Sequence, residues 1–252
     1  MTDLEQTTEI YAPVWGKHLG DCILTLNYFS HESYVLNKCV RISDHYVRVN
    51  ANNEIIRRKM CYNLRELIPL IPTNRFILVK DDPTPTTRFY NQGMAWVKHR
   101  NKPFLLNKYQ FDKKNKGSNI VGYSFDARGK TGYHRNFPSK ATEDLLLKSL
   151  EELGFKLIKI GLPLTLEQCS EILSKVELLV CVGNGIFVLA TTTRTPVFIV
   201  GNKWTREVYL DHLNGLYDFL FSQDYLELID NIKKYKEDRD FYDKNCYKMI
   251  SQ

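Results

Sequence analysis

The sequence predicts an α/β protein of two lobes, each built on a parallel, doubly wound sheet. Three observations predict it. Short β-prone apolar runs alternate with longer amphipathic stretches through both halves of the 252-residue chain, the pattern of parallel strands joined by crossover helices. An irregular stretch over residues 83–117, carrying prolines, aromatics and many lysines, divides the halves. Residues 178–202 run from an apolar strand through Gly183-Asn184-Gly185 into a short helix and a second apolar strand. The boundaries are a first lobe over residues 1–97, a basic linker over 98–117, a second lobe over 118–222, and a C-terminal helix over 223–252 that packs back across the lobes. The length suits this division.

In the first half, residues 10–14 form a short β-prone run, and the loop from Trp15 to Gly20 follows. Asp21 is placed to cap the next helix, whose apolar positions are Ile23, Leu24 and Leu26. A carboxylate at a helix start after a strand also lies at the usual ligand crevice of an α/β sheet, so Asp21 reads as a cap or as a site residue. Residues 47–49 suit a strand. Residues 54–71 read as a helix, with Ile55, Ile56, Met60, Leu64, Leu67, Ile68 and Ile71 at helical spacings, ended or kinked by Pro69. Residues 75–79 form a strand stopped at Asp81-Asp82-Pro83.

The linker is where the charge concentrates. Residues 98–140 hold eleven Lys and Arg against Asp112 and Asp126, a net +9 in a chain of +6, so the remainder sums to −3. Such a stretch suits a polyanion or phosphates, or simply a solvated loop. Phe89, Tyr90, Trp96, Phe104, Tyr109 and Phe111 interleave with the cations. Aromatics so placed stack on bases, or else cover a seam between lobes.

The second half is more regular. Residues 119–124 form a strand ending in small residues, and a loop over 125–137 carries Asp126, Arg128, Lys130, His134 and Arg135. Pro138-Ser139 opens a helix to Leu153, stopped by Gly154. Residues 155–160 are a strand. Thr165-Leu166-Glu167-Gln168 is a capping box for a helix through Val176. Then come the strand at 178–182, the glycine turn, the helix at 186–193 and the strand at 197–200. A strand, a glycine-rich turn and a helix start present backbone N–H groups to an anion, and also serve as a plain structural turn. The 125–137 loop and the 183–185 turn both follow parallel strands, so both lie at one edge of the sheet. Helices are expected over 205–221 and from 225 to about 249, with Leu226, Ile229, Ile232 and Tyr235 as a stripe.

Other classes are excluded on composition. No apolar run approaches the roughly 18 residues of a membrane span. The polar start, Met-Thr-Asp-Leu-Glu-Gln, is unlike a secretory signal. Six scattered cysteines form no C-x-x-C pair and no zinc spacing, which suits a reduced, cytoplasmic protein of a bacterium or a phage-infected host.

Three groups of residues carry a resemblance. Leu19-Gly20-Asp21 stands near the N-terminus. Tyr123-Ser124 leads through a basic loop to Arg135-Asn136-Phe137-Pro138. Gly183-Asn184-Gly185-Ile186-Phe187-Val188 is followed by Ala190 and by Thr195-Pro196 to Gly201. In order and spacing the chain resembles the two-lobed glycosyltransferases of the heptosyltransferase type, with the GT-B architecture of two Rossmann-like lobes. It departs from that pattern at Gly183 and Val188, where the family carries Asp and His.

The resemblance implies transfer of a sugar from a nucleotide-sugar to an acceptor hydroxyl, with the first lobe on the acceptor side and the second binding the donor. Asp21 is then the general base, with His18 and His31 as rivals. Ser124, Arg128, Lys130, Arg135, Gly183, Asn184 and Gly185 would bind the donor, and His18, Lys98 and Arg100 the acceptor. No D-x-D pair stands in the donor lobe, so the expectation is a metal-independent enzyme with no cofactor besides its donor. Some phage enzymes of this architecture glycosylate hydroxylated pyrimidines in DNA, and the basic stretch suits that acceptor. A lipopolysaccharide or other glycan acceptor is the alternative, without integral membrane association. A non-catalytic nucleotide- or nucleic-acid-binding module on the same fold is the third reading.

Overall fold

The structure, a computed structural model, describes residues 7–11, 19–20, 22–23, 26, 39–43, 45–49, 55–60, 62–72, 76–79, 107–126, 138–201 and 219–246. The chain divides into two compact units, Met1–Lys108 and Tyr109–Gln252.

In the first unit the described strands are β1 (Thr7–Tyr11), β2 (Cys39–Ser43), β3 (His45–Val49) and β4 (Ile55–Met60). Helix α1 (Tyr62–Leu67), a 3-10 turn (Ile68–Leu70) and β5 (Phe76–Val79) follow. β1, β2 and β5 form a parallel sheet in the order β1-β2-β5, and β3 pairs with β4 as an antiparallel ribbon. Two expectations are corrected here. The helix read over 54–71 is a strand up to Met60 and helical only from Tyr62. Ile55-Ile56 and Met60 fit a helical spacing, yet β3 supplies a strand partner, and pairing outweighs a weak local preference. Pro69 does not kink a long helix; it sits in the first turn of the 3-10 segment, where its missing N–H costs nothing. Leu64, Leu67 and Leu70 are the buried side of this stretch. Leu19 and Gly20 are already helical, ahead of the start expected at Asp21, and Cys22, Ile23 and Leu26 are fully buried.

The second unit is one parallel sheet of five strands. They are β6 (Ile120–Ser124), β7 (Lys156–Lys159), β8 (Leu178–Val182), β9 (Val197–Val200) and β10 (Leu220–Ser222), arranged β10-β9-β8-β6-β7. Between them run α2 (Lys140–Glu152), α3 (Leu166–Lys175) and α4 (Gly185–Thr193), and after them α5 (Tyr225–Glu237) and α6 (Phe241–Asn245). This agrees with a Rossmann-like sheet. β8 is buried at every residue, as a central strand flanked by helices on both faces should be. Edge strand β7 is guarded by exposed Lys156 and Lys159. α2 packs beside α5, and α3 beside α4. Val121, Phe125, Leu146, Leu150, Leu228 and Ile232 fill the core under α2 and α5.

The caps follow the sequence closely. Ser139 accepts from the Thr142 N–H, Thr165 and Gln168 cap reciprocally, and Gly154 takes φ +81° after α2. The C-terminal stretch departs from expectation. The helix read to 249 breaks after Glu237, where Asp238 leaves helical geometry and accepts from the Asp240 N–H. Residues 220 and 221, read as helix, belong to β10.

Two features tie the unit together away from the strands' C-terminal edge. Residues 109–115 run over α3 and α4 as a strap: Gln110 Nε2 donates to Thr192 O, Phe111 N to Thr193 O, and Asn115 Nδ2 to Ser174 O. At the opposite edge, fully buried Glu177 accepts from the Asn119 N–H at 2.7 Å and lies 2.8 Å from Arg239 Nε, while Arg239 covers the Tyr235 ring.

Candidate functional site

Strand order locates the site. From β6 the chain moves outward to β7, then returns to the far side of β6 to form β8. Connections leaving β6 and β8 therefore diverge to opposite faces, α2 to one and α4 to the other. Their divergence opens a crevice beyond the carboxyl ends of these two strands, where open α/β sheets take ligands. Ser124 ends β6, and Gly183-Asn184-Gly185 follows β8.

Asn184 joins the two sides. Its Nδ2 donates to Ser124 O at 3.1 Å, to Ser124 Oγ at 3.0 Å and to Asp126 O at 3.0 Å. Its Oδ1 accepts from Phe187 N at 3.0 Å, which makes it the N-cap of α4. The side chain is buried and its hydrogen-bonding capacity is filled, so its part is to hold the crevice in shape. A Ser or Thr here would cap α4 but could not donate to both β6-side carbonyls. Among the described residues, the N–H groups of Gly185 and Ile186, the first two of α4, have no acceptor. They lie in the first turn of α4, where the positive end of the helix dipole lies. Buried Ser124 receives the Asn184 hydrogen bond on Oγ, which leaves its own proton to donate. The turn does not use glycine's left-handed freedom: among the described residues the glycines at positive φ are Gly117, Gly154 and Gly161.

The edge of the crevice is charged. Asp126 follows β6 and Lys159 ends β7, with Lys159 Nζ 2.8 Å from Asp126 Oδ2. The Asp126 hydrogen bond holds the Lys159 ammonium above its ordinary value, and the Glu143 carboxylate of α2 adds to the effect. The sequence did not mark this pair as site residues. Tyr123 of β6 lies opposite Lys159, which sets Lys159 level with the end of β6, a pairing that the sequence does not state. Burial pushes the Cys181 thiol up, so this β8 cysteine is an inert core side chain.

Of the expected donor-binding residues, Ser124, Gly183, Asn184 and Gly185 come together here. Arg128, Lys130 and Arg135 lie outside the described residues, as do Asp21, His18, His31, Lys98 and Arg100. Thr165 and Glu167 serve the α3 N-terminus, where the Tyr109 hydroxyl also donates to Glu167 Oε1 at 3.0 Å. Several cations of the basic stretch are matched locally. Lys114 pairs with Asp112, Lys116 with Asp240 and Asp243, and Lys140 with Asp144.

No protein-family model matches the sequence. None of the curated proteins is similar to it. Among solved structures, the chain resembles the bacterial iron-containing dodecameric glycosyltransferase TibC from enterotoxigenic E. coli, with 14% identity and a TM-score of 0.52. It also resembles the dodecameric iron-containing heptosyltransferase TibC in complex with ADP-D-beta-D-heptose, with 12% identity and a TM-score of 0.51. Each match covers 77% of this chain and 57% of the other, so this chain spans little more than half the length of those proteins. Both are described as iron-containing, which overturns the expectation of a site needing no metal or cofactor. Among the described residues no three His, Cys, Asp or Glu are placed to hold a metal ion, so they supply no ligand set for iron. No helix among them is long and apolar enough to cross a membrane. The likeness establishes a glycosyltransferase-like α/β fold.

Proposed function

We propose that the protein is a glycosyltransferase that moves a sugar from a nucleotide-sugar to an acceptor hydroxyl, holding the donor's diphosphate in the crevice between β6 and β8. The observation that carries this reading is the Asn184 clip. It ties the end of β6 to the start of α4, which supports a reading in which the Ser124 hydroxyl and the Gly185 and Ile186 N–H groups serve one anion. Fixed donors in a sheltered crevice stabilise the charge that grows on a departing nucleoside diphosphate. Arg128, Lys130 and Arg135, on the loop that leaves β6, are proposed to add cationic contacts, Arg engaging two oxygens at once. Asp21 is proposed as the base that takes the acceptor proton, as the resemblance implies. Local pairing of Lys114, Lys116 and Lys140 weakens the case for a DNA acceptor. A glycan hydroxyl is therefore the acceptor proposed. The ADP-heptose bound to the TibC heptosyltransferase makes ADP the first nucleotide to try.

Calorimetric titration with ADP, UDP, GDP and CMP tests the reading, with Arg128→Ala and Arg135→Ala in parallel. Micromolar binding of one nucleoside diphosphate, weakened about tenfold or more in either variant, is the expected result. Sugars of that nucleotide are then offered with glycan and hydroxylated-pyrimidine DNA acceptors. Salt-sensitive DNA binding with no nucleotide binding would replace this reading with the nucleic-acid module.

A further inference from the structure

We infer that Lys159 is a positioning residue for the donor's diphosphate, acting by neutralising the Asp126 carboxylate at the rim of the crevice; this rests on the donor reading above. The backbone fixes the geometry. The Asp126 carbonyl accepts from Asn184 Nδ2, so Asp126 is pinned beside the N-cap of α4. A bare carboxylate there would repel a diphosphate and offset the attraction of the helix start. Lys159 Nζ lies 2.8 Å from Asp126 Oδ2 and removes that charge. Lys159 also feels the Glu143 carboxylate on α2. Both side chains of the pair are substantially exposed, at 48% and 71%. The ion pair therefore adds little to folding, and its value lies in the field at the crevice.

This assignment makes Lys159 and Asp126 unequal, unlike a structural ion pair, in which each partner matters as much as the other. The experiment is calorimetric titration of the best-binding nucleoside diphosphate against wild type, Lys159→Ala, Lys159→Arg, Asp126→Asn and the double variant, with thermal melts alongside. Lys159→Ala is expected to weaken binding about three- to tenfold at low salt, and less at high salt. Lys159→Arg should restore it. Asp126→Asn, which leaves the ammonium unmatched, should bind tighter than wild type, and the double variant should match wild type. Equal weakening by Asp126→Asn and Lys159→Ala, with no rescue in the double, would overturn the inference in favour of a structural ion pair. Unchanged binding in Lys159→Ala would overturn it outright while leaving the donor reading intact. Failure of wild type to bind any nucleoside diphosphate would overturn the donor reading and this inference together.

Discussion

At the scale of single residues, Asn184 separates shape from charge. Its amide nitrogen serves three oxygens on the β6 side and its amide oxygen caps α4. Asn184→Asp keeps the cap but sets a carboxylate against the Ser124 and Asp126 carbonyls. We expect it to cost about 2 kcal/mol of stability, read from urea denaturation, and to abolish nucleoside diphosphate binding, because buried acceptors lose their donor and an anion occupies the crevice. Asn184→Ser should keep a partial cap and cost about 1 kcal/mol, with weakened binding retained. A Ser variant as damaged as the Asp variant in both readouts would show that the clip, not charge, controls the site.

At the scale of elements, the C-terminal helices are held by a buried charge. Glu177 is fully buried just before β8, and Arg239 follows α5. Arg239→Ala leaves that carboxylate without its cation and should destabilise the protein by about 3 kcal/mol, whereas adding Glu177→Gln should recover much of the loss. Urea titration of the three variants checks this, and an additive double variant would refute it. α5 also carries a pH dependence. Burial pushes Tyr225 up to about 12, with the Glu143 carboxylate adding to the effect, and burial and Glu177 push Tyr235 up as well. A raised folded pKa means the stability is fully present below the ordinary tyrosine value of 10.0 and is lost as pH rises through about 12. The urea midpoint should therefore fall between pH 10 and 12, and fall less in Tyr225→Phe. Elements were legible in the sequence where their ends were written in local chemistry. Ser139, Thr165-Gln168 and Gly154 mark α2 and α3 because capping is a contact between near neighbours. β4 was not legible, because its pairing with β3 is a tertiary contact while Ile55, Ile56 and Met60 fit either period. β10 was missed likewise, as a three-residue strand defined by its pairing with β9.

At the scale of the whole molecule, the grouping of the candidate site's residues was legible where topology decides it. Alternating strands and helices place the ends of β6 and β8 on one edge, so Ser124 and Gly183 to Gly185 could be grouped from sequence. The Lys159–Asp126 pair could not, because strand order sets β7 beside β6, and the sequence does not state that order. The same limit governs where the second unit begins. Composition puts the end of the basic linker at 117, yet residues 109–115 are bound along α3 and α4 by hydrogen bonds from Gln110, Phe111 and Asn115. A fragment of residues 109–252 is expected to unfold cooperatively and to bind nucleoside diphosphate as the full chain does. A fragment of residues 118–252 forfeits those three bonds, at about 1 kcal/mol each, uncovers the carbonyls of Ser174, Thr192 and Thr193, and also loses the exposed Tyr109–Glu167 hydrogen bond and the Lys116 pairs with Asp240 and Asp243. It should be less stable by about 3 kcal/mol in urea and lose its helical signal at a lower temperature. Equal stability of the two fragments would mean that the strap is an appendage and that the unit starts at β6.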